Sequence, residues 1–307
     1  GDGNVVHLWE RDCSIQHRNQ KVVEIAPAPG LDDQVRTRIL ADAVRLVAGG
    51  GYRNAGTVEF LVEPETGRYF FIECNPRIQV EHTITEQVTG VDLVEAQFQV
   101  AAGATLASLG LGTQGAVPAP RGYAVQARVV ARGAGTITAY KEPAGPGVRV
   151  DACGYAGYSP APQFDPLLAK VIGSSSSAGT LVSALERTGR ALAEFHIDGL
   201  PTNLAELQAI CEHPTVRAGD ARTTLLAELL ADVPAAANGT NGDSGGVVAL
   251  LSAQAAVLVG AGAGGTGPGA PAALAAPTAP ALPVPDGHQG VECPMASSVI
   301  EVRASVG

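Results

Sequence analysis

Hydrophobic and polar residues alternate along two neighbouring segments of the chain, and this alternation predicts a β-hairpin. Residues 57–62 (TVEFLV) and 71–82 (FIECNPRIQVEH) have the period of two that is typical of β-strands. The segment between them, 63–68 (EPETGR), is rich in turn-forming residues. Pro76 supplies no backbone N–H, which favours an edge strand or a strand that runs out into a loop.

The second strand of this hairpin carries a row of charged and amide side chains. Successive side chains of a strand point to opposite faces, so alternate residues share one surface. One face then presents Glu73, Asn75, Arg77, Gln79 and Glu81. The other face presents residues typical of a protein core, namely Ile72, Cys74, Ile78 and Val80.

Three of the polar residues form a candidate metal site. Glu59 lies between two apolar residues of the first strand, so in a suitable register Glu59, Glu73 and Asn75 converge. Carboxylate and amide oxygens are the hard ligands that hold Mg²⁺ or Mn²⁺ beside phosphates. We expect their oxygens within roughly 6 Å of a common point, given metal–ligand distances of about 2–2.5 Å. The alternative is a hairpin with one solvated face of salt bridges.

The remaining pattern predicts a mixed α+β fold. Asp32 can cap a helix that ends at the glycines of 49–51, and Asp92 can cap a second helix that runs to about Gly103. Short strands are predicted at 124–131, 136–140 and 147–151. Two further helices are predicted, one with Leu181 and Leu185 on its apolar face and one after Asn203.

Composition narrows the function classes. The chain has 307 residues, a formal net charge of −10 and no Lys/Arg tract, which argues against a nucleic-acid partner. Its five cysteines include no C-x-x-C pair, which argues against a zinc site or a disulfide framework. Residues 235–284 contain a single charged residue, Asp243, and are typical of a linker. The apolar run 247–259 is too short to span a membrane.

Several motifs resemble the biotin carboxylase component of biotin-dependent carboxylases. They are 10–16 (ERDCSIQ), 20–29 (QKVVEIAPAP), 55–61 (AGTVEFL) and 71–94 (FIECNPRIQVEHTITEQVTGVDLV). The resemblance covers residues 1 to about 230 and is nearest to pyruvate carboxylases and long acyl-CoA carboxylases. Residues 290–302 (GVECPMASSVIEV) resemble the opening strands of a biotinyl carrier domain. The order carboxylase, linker, carrier resembles acyl-CoA or urea carboxylases more than pyruvate carboxylases. The molecule that finally accepts the carboxyl group therefore stays open.

The resemblance implies a fold, a domain order and a reaction. It implies the C-terminal portion of an ATP-grasp domain at 1–115, followed by a small antiparallel β-rich biotin carboxylase C-terminal domain at 120–232. A low-complexity linker at 233–286 and the start of a biotinyl carrier domain at 287–307 would follow. The implied ligase uses MgATP to activate bicarbonate as carboxyphosphate and then moves CO₂ onto a ureido nitrogen of carrier-bound biotin.

The resemblance also implies roles for individual residues. Glu59, Glu73 and Asn75 would coordinate the metal ions, and Arg77 would bind bicarbonate with Lys21, Gln79 and the backbone N–H of Val80. Glu81 would be the general base, and Arg128 would stabilise the biotin enolate. Gln16 and Asn19 would bind the nucleotide. The implied cofactors are ATP, Mg²⁺ or Mn²⁺, and biotin on a carrier lysine that this chain does not contain.

The expected partners are a biotinyl carrier domain, a carboxyltransferase domain or subunit and further copies of the chain, with no nucleic acid or membrane. The expected compartment is the cytoplasm, with mitochondria or plastids as alternatives. Asn19 stands where the family usually has His, and the family's N-terminal domain and glycine-rich lid are not in this sequence. We therefore expect a part of a longer carboxylase that is inactive by itself.

Two alternatives remain open. The first is another ATP-grasp ligase such as a carbamoyl-phosphate synthase, which shares the metal set but should lack the 10–16 run and the context of Arg128. The second is a non-catalytic binding or assembly module.

Overall fold

The computed structural model describes residues 3–161 and 163–231, and the predicted linker and carrier segments lie outside them. The strands are β1 (Asp12–His17), β2 (Gln20–Ala26), β3 (Thr57–Glu63), β4 (Arg68–Asn75), β5 (Ala124–Val130), β6 (Ala139–Lys141), β7 (Val148–Ala152), β8 (Leu167–Ser174) and β9 (His196–Asp198). The helices are α1 (Asp33–Gly49), α2 (His82–Thr89), α3 (Leu93–Ala101), α4 (Leu181–Glu194), α5 (Leu204–Glu212), α6 (Pro214–Arg217) and α7 (Leu225–Ala231). No helix in these ranges combines the length and apolarity needed to cross a bilayer.

A five-stranded antiparallel sheet with the order β1-β2-β5-β8-β7 organises the described residues. Glu24 of β2 pairs with Gln126 of β5, and Arg128 of β5 pairs with Lys170 of β8. The α+β prediction is confirmed. The sheet takes strands from both sides of the boundary predicted near 115–120, because β1 and β2 join β5, β7 and β8 in one ladder.

The two faces of β5 serve different purposes. Val125, Ala127 and Val129 are fully buried in the main core with side chains of α4 and α5. Gln126 and Arg128 alternate with them and therefore lie on the opposite face. That face is covered by α2, whose Ile84 and Val88 pack on Ala26, Ala124 and Ile172. The sheet is thus packed between helices on both sides, and the polar side chains of β5 lie on the α2 side.

The structure confirms both predicted caps and adds elements that the pattern did not predict, among them α2 and β8. Asp32 accepts hydrogen bonds from the N–H groups at the start of α1, and Asp92 does so at the start of α3. Helix α2 (HTITEQVT) is rich in β-branched residues, which have weak helix propensity, so packing on the sheet stabilises it. Strand β8 (LLAKVIGS) is a nearly continuous apolar run, which periodicity alone does not distinguish from a buried helix.

The hairpin forms as predicted, but its second strand is shorter than expected. Strand β4 ends at Asn75, and the N–H of Arg77 then donates to the Asn75 carbonyl at 2.8 Å. The predicted strand row is therefore wrong beyond Asn75, since Pro76 turns the chain into a loop as its missing N–H suggested.

The prediction that the apolar face of the hairpin is core is also wrong within the described residues. Ile72 is 54% exposed and Cys74 is exposed as well. The reason is that β3 and β4 form a two-stranded sheet of their own, separate from the five-stranded sheet.

Asn203 generates a prediction about stability. Its side chain donates to the Arg128 carbonyl at 2.9 Å and accepts from the Val130 N–H at 2.8 Å, and the residue is only 2% exposed. Asn203→Ala would leave two buried backbone groups without these partners and should lower the free energy of unfolding by about 3 kcal/mol. Urea unfolding of the chain measures this loss. Gln99→Ala, at an exposed pair within α3, is the control and should cost less than about 0.5 kcal/mol.

Candidate active site

Every residue that the sequence predicts for the site lines one cleft. The cleft has a volume of about 1970 Å³ and lies between the hairpin, the β1–β2 end of the sheet and the loop that precedes α2. Its lining includes Gln16, Asn19, Lys21, Glu59, Glu73, Asn75, Arg77, Gln79, Val80, Glu81 and Arg128. Residues spread over more than 110 positions of sequence thus share one surface.

The structure brings the predicted metal ligands together. Glu59 and Glu73 are directly paired across the hairpin, and Asn75 follows two residues after Glu73 on the same face. The Asn75 side-chain nitrogen lies 3.2 Å from Glu59 Oε1 and 2.6 Å from Glu73 Oε1, so both carboxylates converge on one point.

This donor set fits a hard divalent cation. The Asn75 NH₂ group now offers partial positive charge to the two carboxylates, and turning the amide would present Oδ1 instead. The set contains two carboxylates and one amide. Within 3–161 and 163–231 no group of three or more His, Cys, Asp or Glu side chains is arranged to hold a metal. Metal binding therefore stays a prediction.

Glu81 is a carboxylate of the cleft that is buried, with 2% exposure. Its Oε1 accepts from Lys21 at 2.8 Å, and its Oε2 pairs with Arg128 at 3.0 Å. Burial by itself would raise the pKa of Glu81, but Arg11 and Lys21 outweigh burial and lower it. The carboxyl group is therefore ionised at neutral pH.

Glu81 belongs to a row of alternating charges that we call the charge chain, consisting of Glu59, Lys21, Glu81, Arg128 and Glu24. Lys21 bridges Glu59 and Glu81, with both distances at 2.8 Å. Arg128 bridges Glu81 and Glu24, and its Nε lies 2.6 Å from Glu24 Oε1. The charge chain thus extends from the candidate metal ligand Glu59 to Glu24 in the interior of the sheet.

Arg77 stands apart from the rest of the predicted bicarbonate set. Its guanidinium is exposed and donates to the Ile78 carbonyl and to Asn75 Oδ1. Gln79 instead donates to Glu59 at 2.6 Å, and the Val80 carbonyl accepts from Lys170 at 3.2 Å. Lys170 also pairs with Asp151 at 3.2 Å.

The predicted nucleotide residues lie at the β1–β2 hairpin. Gln16 pairs with Lys21 across the strands, and the turn consists of Arg18 and Asn19. Both turn residues have positive φ, 49° and 64°, which is the type I′ geometry of two-residue hairpins. Asn tolerates this left-handed conformation better than most residues. That preference is a backbone reason for Asn19, and its contact with a nucleotide stays a prediction.

The sequence reasoning assigned no role to two residues that contact the predicted site residues, one in the cleft and one behind it. Arg11 donates to Gln79 at 2.8 Å and to Thr85 at 2.9 Å, so it holds the loop against α2. Glu24 is fully buried, and burial raises its pKa to about 6. The signal for Glu24 was present, because it is a lone acid in the apolar strand β2 (QKVVEIA).

Two family models match the chain. Residues 1–109 match the ATP-binding domain of the carbamoyl-phosphate synthase L chain, and residues 125–228 match the biotin carboxylase C-terminal domain. Pyruvate carboxylase from Aspergillus niger is 50% identical over 233 residues, and human mitochondrial pyruvate carboxylase is 45% identical over 235. The chain contains the ATP-grasp and C-terminal domains of a biotin carboxylase. The matched regions cover 73% and 74% of the chain but only 19% of each relative.

Solved structures agree with this assignment of the two domains. The biotin carboxylase domain of a single-chain bacterial carboxylase has a TM-score of 0.71 and 48% identity, covering 76% of this chain and 54% of that one. Pyruvate carboxylase from Rhizobium etli has a TM-score of 0.70 and 43% identity, covering 74% and 23%. A third is the biotin carboxylase domain of Hydrogenobacter thermophilus 2-oxoglutarate carboxylase in complex with MgADP and bicarbonate, with a TM-score of 0.69, 39% identity and coverage of 74% and 50%.

Glu24 and Glu86 should change the free energy of unfolding of the chain with pH in opposite directions. The pKa of Glu24 is raised from 4.5 to about 6, so the folded state holds its proton more tightly than the unfolded state. The free energy of unfolding should therefore fall by about 2 kcal/mol as the pH rises from 4.5 to 7. Burial opposes ionisation of Glu86, but His82 and Arg149 lower its pKa to about 2. The contribution of ionised Glu86 to the free energy of unfolding is therefore lost as the pH falls from 4.5 to 2.

Urea unfolding of the wild type, Glu24→Gln and Glu86→Gln across pH 2–7 checks both signs. Glu24→Gln should flatten the curve above pH 4.5, and Glu86→Gln should flatten it below. A wild-type and a Glu24→Gln curve that remain parallel between pH 4.5 and 7 would contradict the raised pKa.

Proposed function

We propose that this chain supplies the metal-binding, bicarbonate-binding and proton-accepting groups of a biotin carboxylase within a longer carboxylase polypeptide. The observation that carries the proposal is the position of Glu81. It is an ionised, buried carboxylate held between Lys21 and Arg128, in the same cleft as the converging Glu59, Glu73 and Asn75.

The hairpin provides the metal function. Glu59, Glu73 and Asn75 would hold Mg²⁺ or Mn²⁺, which would neutralise charge on the ATP phosphates. The Hydrogenobacter relative is a complex with MgADP and bicarbonate, and this supports the role by homology. Glu59 also contacts Lys21, so the metal site and the base share one electrostatic unit.

The loop before α2 provides the bicarbonate function. Arg77 contacts only neutral oxygens among its described hydrogen bonds, so its guanidinium fork can take the two oxygens of an anion. Glu81 then accepts the bicarbonate proton, and the freed oxygen attacks the γ-phosphorus of ATP while ADP leaves. Lys21, Gln79 and the Val80 N–H orient the anion.

Arg128 links the activation of bicarbonate to the carboxylation of biotin. It lies on β5, contacts Glu81 and lines the cleft, so it offers positive charge to the ureido group of an incoming biotin. The biotin carboxylase C-terminal match at 125–228 contains Arg128, and this favours biotin carboxylation over the carbamoyl-phosphate alternative.

The similar proteins support a choice of partner domains and of the molecule that accepts the carboxyl group. Pyruvate carboxylases among them make pyruvate the first acceptor to test, with a biotinyl carrier and a carboxyltransferase as the proposed partners. A homo-oligomer is the assembly to test with them. The cytoplasm is the proposed compartment, and the human relative's mitochondrial name makes the mitochondrion the alternative.

The metal role predicts a selective loss of cation binding. Glu73→Gln or Glu59→Gln in the complete carboxylase should weaken Mn²⁺ binding in the presence of ATP by about tenfold or more, because one charged ligand is lost. Electron paramagnetic resonance of free Mn²⁺ measures this change. Glu63→Gln is the matched control, since Glu63 lies on the same strand as Glu59 but pairs with Arg68. Equal Mn²⁺ affinity in Glu73→Gln and Glu63→Gln would refute the assignment.

The anion and base roles predict which half-reaction each variant loses. Arg77→Ala and Glu81→Gln should lower carboxybiotin formation by about 10²–10³-fold while MgATP binding is retained, because each change removes one charged group from the proposed bicarbonate site. Arg128→Ala should instead keep part of the bicarbonate-dependent phosphate release and lose transfer to biotin.

Phosphate release and carboxybiotin formation are therefore assayed side by side in the complete enzyme. Equal loss of both activities in Arg128→Ala, or normal carboxylation in Arg77→Ala, would show that the roles are assigned wrongly.

A further inference from the structure

Glu24 is a charged residue that the proposed mechanism does not use. It lies on β2 with 0% exposure and is absent from the lining of the cleft, so neither substrate nor solvent reaches it there. A buried carboxylate costs free energy unless charged or hydrogen-bonding partners compensate for lost water. Its partners therefore indicate what it does.

Both oxygens of Glu24 are bound. Oε1 faces the guanidinium of Arg128, at 2.6 Å from Nε and 2.5 Å from Nη2. Oε2 accepts from the Gln126 side chain at 2.9 Å. Gln126 in turn accepts from the Thr83 hydroxyl, which lies on α2 two residues after Glu81. The carboxylate is thus fixed from β5 and, through Gln126, from the helix that follows the base.

Arg128 is shared between two carboxylates, and Glu24 holds it with two contacts against one from Glu81. Without the charge of Glu24, Glu81 would be the only carboxylate in the charge chain next to Arg128. The guanidinium would then move onto Glu81, which would weaken Glu81 as a base and turn Arg128 away from the cleft.

We infer that Glu24 is a positioning residue that anchors the Arg128 guanidinium and thereby keeps Arg128 and Glu81 as two separate working groups. This inference rests on the proposed function. Glu24 itself touches no reacting atom and acts through Arg128.

The experiment compares Glu24→Gln, Arg128→Ala and the double variant in the complete carboxylase. The readout is carboxybiotin formed per phosphate released, with the KM for ATP measured in parallel. Glu24→Gln should lower this ratio by about tenfold to 100-fold, the cost of misplacing a working group, and leave the KM for ATP within about twofold. The double variant should show no loss beyond that of Arg128→Ala.

Glu206→Gln is the matched control. Glu206 is also a buried acid, and it pairs with Arg132, which has no contact with Glu81 in the described structure. Its ratio should equal that of the wild type.

Three outcomes separate the possibilities. A wild-type ratio in folded Glu24→Gln overturns the inference alone, as do losses that multiply in the double variant. A wild-type ratio in Arg128→Ala overturns the proposed role of Arg128 and the inference with it.

If Glu24→Gln does not fold, the same ratio is measured in the wild type between pH 5 and 8. The titratable or charged groups that face Glu24 are Arg128 on β5, Glu81 before α2 and Cys13 on β1, and burial raises the pKa of Cys13 so that it stays neutral. The pKa of Glu24 is raised to about 6, so its protonation below that pH removes the same charge. The ratio should fall at least fivefold below pH 6, and a constant ratio overturns the inference.

Discussion

The charge chain is the interaction on which the rest of the site depends. It places Glu81 between two cations and ties the hairpin, the loop before α2 and the central sheet to one another. Each buried charge is compensated by an opposite charge at 2.5–3.0 Å, which lowers the cost of removing it from water. Removing one member leaves its neighbours uncompensated, so the site behaves as a unit and not as independent residues.

The architecture explains how a polar row survives inside a packed protein. Strand β5 presents small apolar residues to α4 and polar residues to α2, so a single strand serves both the main core and the site. Gln126 and Arg128 take their positions from the ladder with β2 and β8, whose register is fixed by the buried face. The loop that carries Arg77 and Gln79 has no such ladder and is held by side chains, notably Arg11 and Lys170.

Both regions that match family models contribute residues to the charge chain. Lys21, Glu59 and Glu81 lie within the region matched by the ATP-binding model, and Arg128 lies within the biotin carboxylase C-terminal model. Neither region contains the whole charge chain. The shared sheet, with β2 from one region and β5 from the other, connects the two regions next to the Glu81–Arg128 pair, whose charged atoms are 3.0 Å apart.

The sequence by itself determined the local features, because these depend on residues close together in the chain. The caps at Asp32 and Asp92, the β3–β4 hairpin and the convergence of Glu59, Glu73 and Asn75 follow from side-chain chemistry and a period of two. Tertiary structure alone decided the features that need distant partners. Helix α2 exists because the sheet packs against β-branched residues, Ile72 is exposed because the hairpin stands as a separate sheet, and Glu24 has its role because Arg128, 104 positions away, lies beside it. Periodicity indicates which face a side chain takes, but the partner on that face is chosen only when the sheet assembles.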